Sequence, residues 1–166
     1  MIANWRGIAT ATLSVFALSQ GWAQAPNCHE IESATFVDVY SGGNTTTGKI
    51  TQGGILNGNT QTIYNSGAFP TPVSTTVSYS GDFTLTTNQG QLRALNVFLY
   101  DSATGFFTVL ARINPNLSNG RFAGATGVLY INGKTVGTAI PITYPASLSG
   151  RICLANQGGQ GGDGND

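Results

Sequence analysis

The chain has 166 residues, only 8% of them charged, and its seven Lys and Arg balance seven Asp and Glu. A typical domain is about 25% charged, so solubility here rests on Ser, Thr, Asn, Gln and Gly. That balance gives nothing to draw the protein to nucleic acid or to an anionic membrane.

Residues 1–23 read as a signal peptide. Arg6 gives a weak positive start, Ile8 to Ala17 is a short apolar run, and Gly21-Trp22-Ala23 supplies the small-x-small pattern that signal peptidase reads. Cleavage after Ala23 is favoured over cleavage after Ala25, which would leave Pro26 directly past the scissile bond. The apolar run is well short of the roughly 20 residues a membrane span needs. The expected localisation is therefore secreted or periplasmic after cleavage, with no membrane span in the mature protein. Both tryptophans, Trp5 and Trp22, lie in this leader. Loss of Arg6 takes the mature net charge to about −1. The mature chain is expected to be one domain, a barrel over residues 24–155, and then a tail.

Two cysteines survive processing, Cys28 and Cys153. In an oxidising compartment a lone pair is most simply one disulfide; two free thiols or an intermolecular bridge are the alternatives. On the chain-entropy model, a loop of this length would contribute roughly 4 to 5 kcal/mol. The neighbouring His29 is the sole histidine, so a Ser-His-Asp triad or a multi-histidine zinc site has little to be built from. It reads as a solvated residue near the mature terminus. No cofactor or metal is expected.

Period-two alternation then dominates. Ala34 to Tyr40 reads as a strand carrying Asp38 between Phe36 and Tyr40 on one face. Val73 to Ser80 alternates Val, Thr, Val and Tyr with Ser or Thr, which describes one buried and one polar face. Asp82 to Thr87, Phe107 to Ile113 and Ser147 to Leu154 share the pattern. Leu92 to Tyr100 is almost continuously apolar, as though covered on both sides. Residues 118–133, SNGRFAGATGVLYING, read as the centre of a strand whose bulk is surrendered at Ala123, Gly124, Ala125 and Gly127. Gly42-Gly43-Asn44, Asn57-Gly58, Asn88-Gln89-Gly90 and Asn132-Gly133 suit tight turns. No segment after the leader has capped helical periodicity. Residues 156–166, mostly Gly with Gln, Asn and Asp, have too little apolar content to offset ordering entropy and read as a disordered tail.

The fold class is all-β: a closed or nearly closed antiparallel barrel of about eight strands, calycin-like. A barrel pairs its first and last strands, which makes neighbours of the chain ends and so of the two cysteines. Within such a barrel, Asp38 and Arg112 are the interior polar candidates, since charged residues inside strand patterns are few and a buried charge demands a partner. The opposing reading puts them on the outer face or in a strand-fixing ion pair. Arg121 and Arg151, each next to Gly, read as strand-end residues.

The order Gly81-Asp82-Phe83-Thr84-Leu85-Thr86-Thr87, Gly105 to Ile113, Gly120-Arg121-Phe122-Ala123-Gly124-Ala125-Thr126-Gly127 and Ser149-Gly150-Arg151-Ile152-Cys153-Leu154 resembles secreted bacterial proteins of the allene oxide cyclase barrel-like, dirigent-like group. The resemblance covers roughly the latter half of the chain. It implies an eight-stranded antiparallel barrel and transfers no catalytic residue.

Three functions compete. Binding of a small apolar or amphipathic ligand in the interior ranks first. A structural or surface-associated protein that self-associates around a packed barrel is second. An isomerase or cyclase that uses the cavity is third. Convergence of Phe83, Phe98, Phe107 and Tyr130 would fill the interior. An open cavity holding an isolated carboxylate such as Asp38 would favour catalysis.

Overall fold

The computed structural model describes residues 27–155. The signal peptide expected at 1–23 and the tail expected at 156–166 lie outside them. Nine strands run in chain order: β1 (Asn27–Tyr40), β2 (Thr45–Thr51), β3 (Gly58–Tyr64), β4 (Phe69–Pro70), β5 (Thr76–Thr87), β6 (Gly90–Asp101), β7 (Phe106–Ile113), β8 (Thr126–Lys134) and β9 (Ile142–Leu154). Two short 3-10 turns, Gly54–Leu56 and Gly120–Phe122, are the helical elements among the described residues.

Every pairing is antiparallel. Each long strand bonds to the next in sequence, β3 to β5, and β1 to β9, so eight strands close on themselves with β4 a two-residue addition outside. Closure leaves no long edge unpaired. Cys28 stands directly opposite Cys153 in the β1–β9 ladder and the two form a disulfide, with Cα atoms 3.9 Å apart. Cys153 alternates with buried Ile152 and Leu154, which puts the disulfide on the outer wall.

The alternation anticipated from sequence sets the interior. Ala34, Phe36 and Asp38 of β1, Phe83 and Leu85 of β5, Phe107, Val109, Ala111 and Ile113 of β7, and Leu148 and Ile152 of β9 all face inward and are buried. One end of the barrel is closed. Leu56, from the β2–β3 connection, and Phe122, from the β7–β8 connection, are both fully buried there. The second plug is tied down: Asn119 N donates to Gln91 O, Asn119 Oδ1 accepts from Gln91 N, and Arg93 N donates to Ser118 Oγ.

Several expectations need correction. Residues 118–125 are not strand. They are the loop and 3-10 turn that carry Phe122 into the barrel end, and β8 begins only at Thr126. Val73 to Ser80 and Asp82 to Thr87 are not separate strands but belong to one, β5, with Gly81 inside it and Val73 in the preceding turn. The apolar run of β6 is covered on one side only. Leu92, Ala94 and Phe98 face in, while Leu95, Val97 and Leu99 are exposed on the outer wall. β2 and β3 carried no strand expectation. His29 is not a solvated terminal residue, for it pairs with Ile152 inside the β1–β9 ladder and its Nε2 is buried. Arg151 is within β9, ion-paired to Glu30 at 3.1 Å; both partners are exposed, and such pairs contribute little.

Candidate functional site

The end opposite Leu56 and Phe122 is open. Five tyrosines, each from a different strand, turn inward near this end: Tyr40 (β1), Tyr64 (β3), Tyr79 (β5), Tyr100 (β6) and Tyr144 (β9). They line a cavity of about 740 Å³ whose rim is made by the turns after β1, β3, β6 and β8. Phe98 is its floor. Its ring packs against those of Tyr64, Tyr79, Tyr100, Phe107 and Tyr144 at centroid distances of 5.3 to 6.5 Å. Edge-to-face and offset aromatic pairs at this spacing each contribute about 0.5–1.5 kcal/mol beyond area burial, so the ring cluster stabilises the floor and walls of the cup. The sixth tyrosine, Tyr130, faces outward with 46% exposure. It does not join Phe83, Phe98 and Phe107 in filling the barrel, because Leu129 and Ile131 take the inward positions of β8.

Beneath the rings lies a carboxylate. Asp38 is 3% exposed. Its Oδ2 accepts from Thr46 Oγ1 at 2.9 Å and its Oδ1 from Thr60 Oγ1. The register explains the reach: Asp38 stands opposite Gly48, and Gly48 stands opposite Thr60. With no side chain at Gly48, the β1 carboxylate passes over β2 to a hydroxyl on β3. Tyr144 is directly opposite Asp38 on the other side, in β9. Tyr64, Phe98 and Tyr144 line both the cup and a void of about 20 Å³ below it, which Asp38, Thr46 and Asn96 also border. That volume is on the scale of one water molecule. Asn96 Oδ1 is buried there without a hydrogen-bond partner.

Electrostatics follow from burial. Desolvation pushes the Asp38 carboxyl above its ordinary 3.8, and the Thr60 and Thr46 hydroxyls oppose that rise. Burial, reinforced by Tyr144 and Asp38 and opposed by Thr46, raises the Tyr64 phenol strongly. Burial and the neighbouring Tyr100, Tyr79, Tyr40 and Asp38 push Tyr144 up to about 12.

Of the two interior polar candidates, Asp38 lies inside the barrel. Arg112 does not: Ala111 and Ile113 occupy the inward positions of β7, leaving Arg112 exposed on the outer wall. The tyrosines escaped sequence reasoning as a group because they are spread over five strands. Among the described residues, no three His, Cys, Asp or Glu side chains gather as a metal site would require, and no helix is long and apolar enough to cross a membrane.

The fold and site define a closed antiparallel β-barrel with one plugged end and one open, aromatic-lined cup above a buried carboxylate. No family model, curated protein or solved structure matches the chain.

Proposed function

We propose that the protein is an exported barrel that holds a small apolar or amphipathic molecule in its aromatic cup. The cavity carries this reading. Its volume of about 740 Å³ falls in the range of roughly 300–1,000 Å³ found for small-molecule sites, and its walls are rings with a few convergent hydroxyls. Export is supported by the Cys28–Cys153 disulfide, since such bonds persist in oxidising compartments. The eight-stranded closed barrel is also the architecture implied by the resemblance to the allene oxide cyclase barrel-like, dirigent-like group, and we place the chain there as part of the same proposal. Native mass spectrometry of protein purified from its own host tests the binding reading. A retained small molecule is the expected result; a bare polypeptide mass, together with failure to bind any apolar probe, would overturn it.

A second reading, an isomerase or cyclase acting in the cavity, is favoured by one observation: the isolated carboxylate of Asp38 below the cup. It ranks behind binding because Asp38 borders the small void rather than the cup, and both its oxygens are already engaged by threonine hydroxyls. A packed structural barrel fits the open cup least well.

A further inference from the structure

The lining of the cup carries no charged side chain of either sign. Among the described residues there are six Lys and Arg side chains, and none lines the cavity. Lys49, Arg112 and Arg151 are exposed on the outer wall, Lys134 ends β8 beside the rim with its Nζ 5.1 Å from the Phe106 ring, Arg93 sits on the outward side of β6, and Arg121 lies in the turn at the plugged end. Two acids, Asp38 and Asp101, lie next to the cup without lining it. Asp38 is beneath its floor. Asp101 anchors the rim turn, accepting from Ala103 N at 2.9 Å and Thr104 Oγ1 at 3.0 Å, and these bonds hold its carboxyl below the ordinary value. Aromatic rings dominate the lining: five tyrosines and Phe98.

We infer that the cup selects organic cations, an amine or quaternary ammonium carried on an apolar or aromatic body, and rejects carboxylates of the same size. This rests on reading the cup as a binding site and names the class of molecule it takes. The ring quadrupole attracts a cation placed over its face, and the attraction grows when the pair is shielded from water. A carboxylate entering the same space would leave water and find no basic side chain in the lining. An uncharged molecule would fit the volume but make no use of the field.

The test is an NMR titration of the disulfide-bonded protein, following the tyrosine ring protons. Three probes of similar size are used: benzyltrimethylammonium, its uncharged isostere neopentylbenzene, and 4-tert-butylbenzoate. The expected result is that the cation binds about tenfold more tightly than the isostere, shifts the cup tyrosines and spares Tyr130, while the benzoate does not bind. Equal or tighter binding of the isostere or the benzoate would overturn the charge preference and leave the cup a binding site. If none of the three binds, the cup reading falls with it. Tyr79→Leu and Tyr100→Leu should each weaken the cation several-fold, with folding checked by circular dichroism; undiminished affinity in both folded variants would also overturn the proposal.

Discussion

The Asp38 carboxylate on β1 and the Thr60 hydroxyl on β3 are bonded across an intervening strand, over the bare backbone of Gly48. A methyl group at Gly48 would collide with the Val37 carbonyl oxygen and with Asp38 itself. Gly48→Ala is therefore expected to destabilise the fold by about 1–3 kcal/mol and to detach Asp38 from Thr60. Denaturant melts of the variant check the first outcome. An unchanged midpoint would show that β1 and β2 can part at no cost.

Asp38 also sets a pH dependence. Its carboxyl titrates at a higher pH in the folded chain than the ordinary 3.8, so between those values the native state binds more protons than the unfolded one. Its stabilising contribution is complete below the unfolded value and is lost as pH rises through the folded one. Asp38→Asn has no charge to bury. The variant should gain stability relative to the parent as pH climbs upward from about 4, in paired thermal melts from pH 3 to 7. A constant difference would contradict the assignment.

Tyrosine ionisation gives a second readout. Tyr144 is pushed up to about 12 and Tyr64 also rises, whereas unfolded phenols titrate near 10. At pH 11, absorbance near 295 nm should show fewer ionised tyrosines in the folded protein than in the same sample in urea. Because the native state holds these protons longer, stability should fall as pH rises from about 10 towards 12.

The disulfide closes nearly the whole barrel, joining cysteines at a sequence separation of 125. Constraint of the unfolded chain by so long a loop is worth about 5 kcal/mol. Cys153→Ser should lower unfolding stability by an amount of that order, and non-reducing peptide mapping should return one Cys28–Cys153 crosslink within a monomer. Matching denaturation curves with and without reductant would refute it.

Glycines 124 and 127 differ in kind. Gly124, at φ +71, is in the loop before β8, where a Cβ would meet only the Ala155 methyl at 3.0 Å. At Gly127, φ +143 inside β8, an added Cβ would collide with the Arg151 carbonyl and approach the Ile152 Cα of β9. Gly124→Val should cost about 1–2 kcal/mol from its left-handed backbone. Gly127→Val adds a backbone collision and should cost more, about 3 kcal/mol. Equal melting temperatures for the two variants would show that the β8–β9 crowding is absorbed.

Local alternation is enough to read β1, β5, β7 and β9 as strands, whereas β6 reads as a strand from its nearly continuous apolar run, which hides that Leu95, Val97 and Leu99 face out. The lone cysteine pair points to closure for a similarly simple reason: a barrel pairs its first and last strands and so brings those sulfurs together without a special arrangement. β2 and β3 escape because most of their inward positions, Thr46, Gly48, Thr60 and Thr62, are polar or bare, which hides the period that apolar side chains reveal and leaves only Ile50 and Tyr64 to mark it. Phe122 reads as strand in the sequence, yet its burial comes from a turn folding over the barrel end. Asp38 and Arg112 look alike as charges among apolar neighbours, and only the phase of each strand against the closed sheet sends one inward and the other out. The cup belongs wholly to tertiary structure. Five tyrosines on five strands become one site only when strand tilt and register bring them to the same end of the barrel, and no local stretch of chain encodes that meeting.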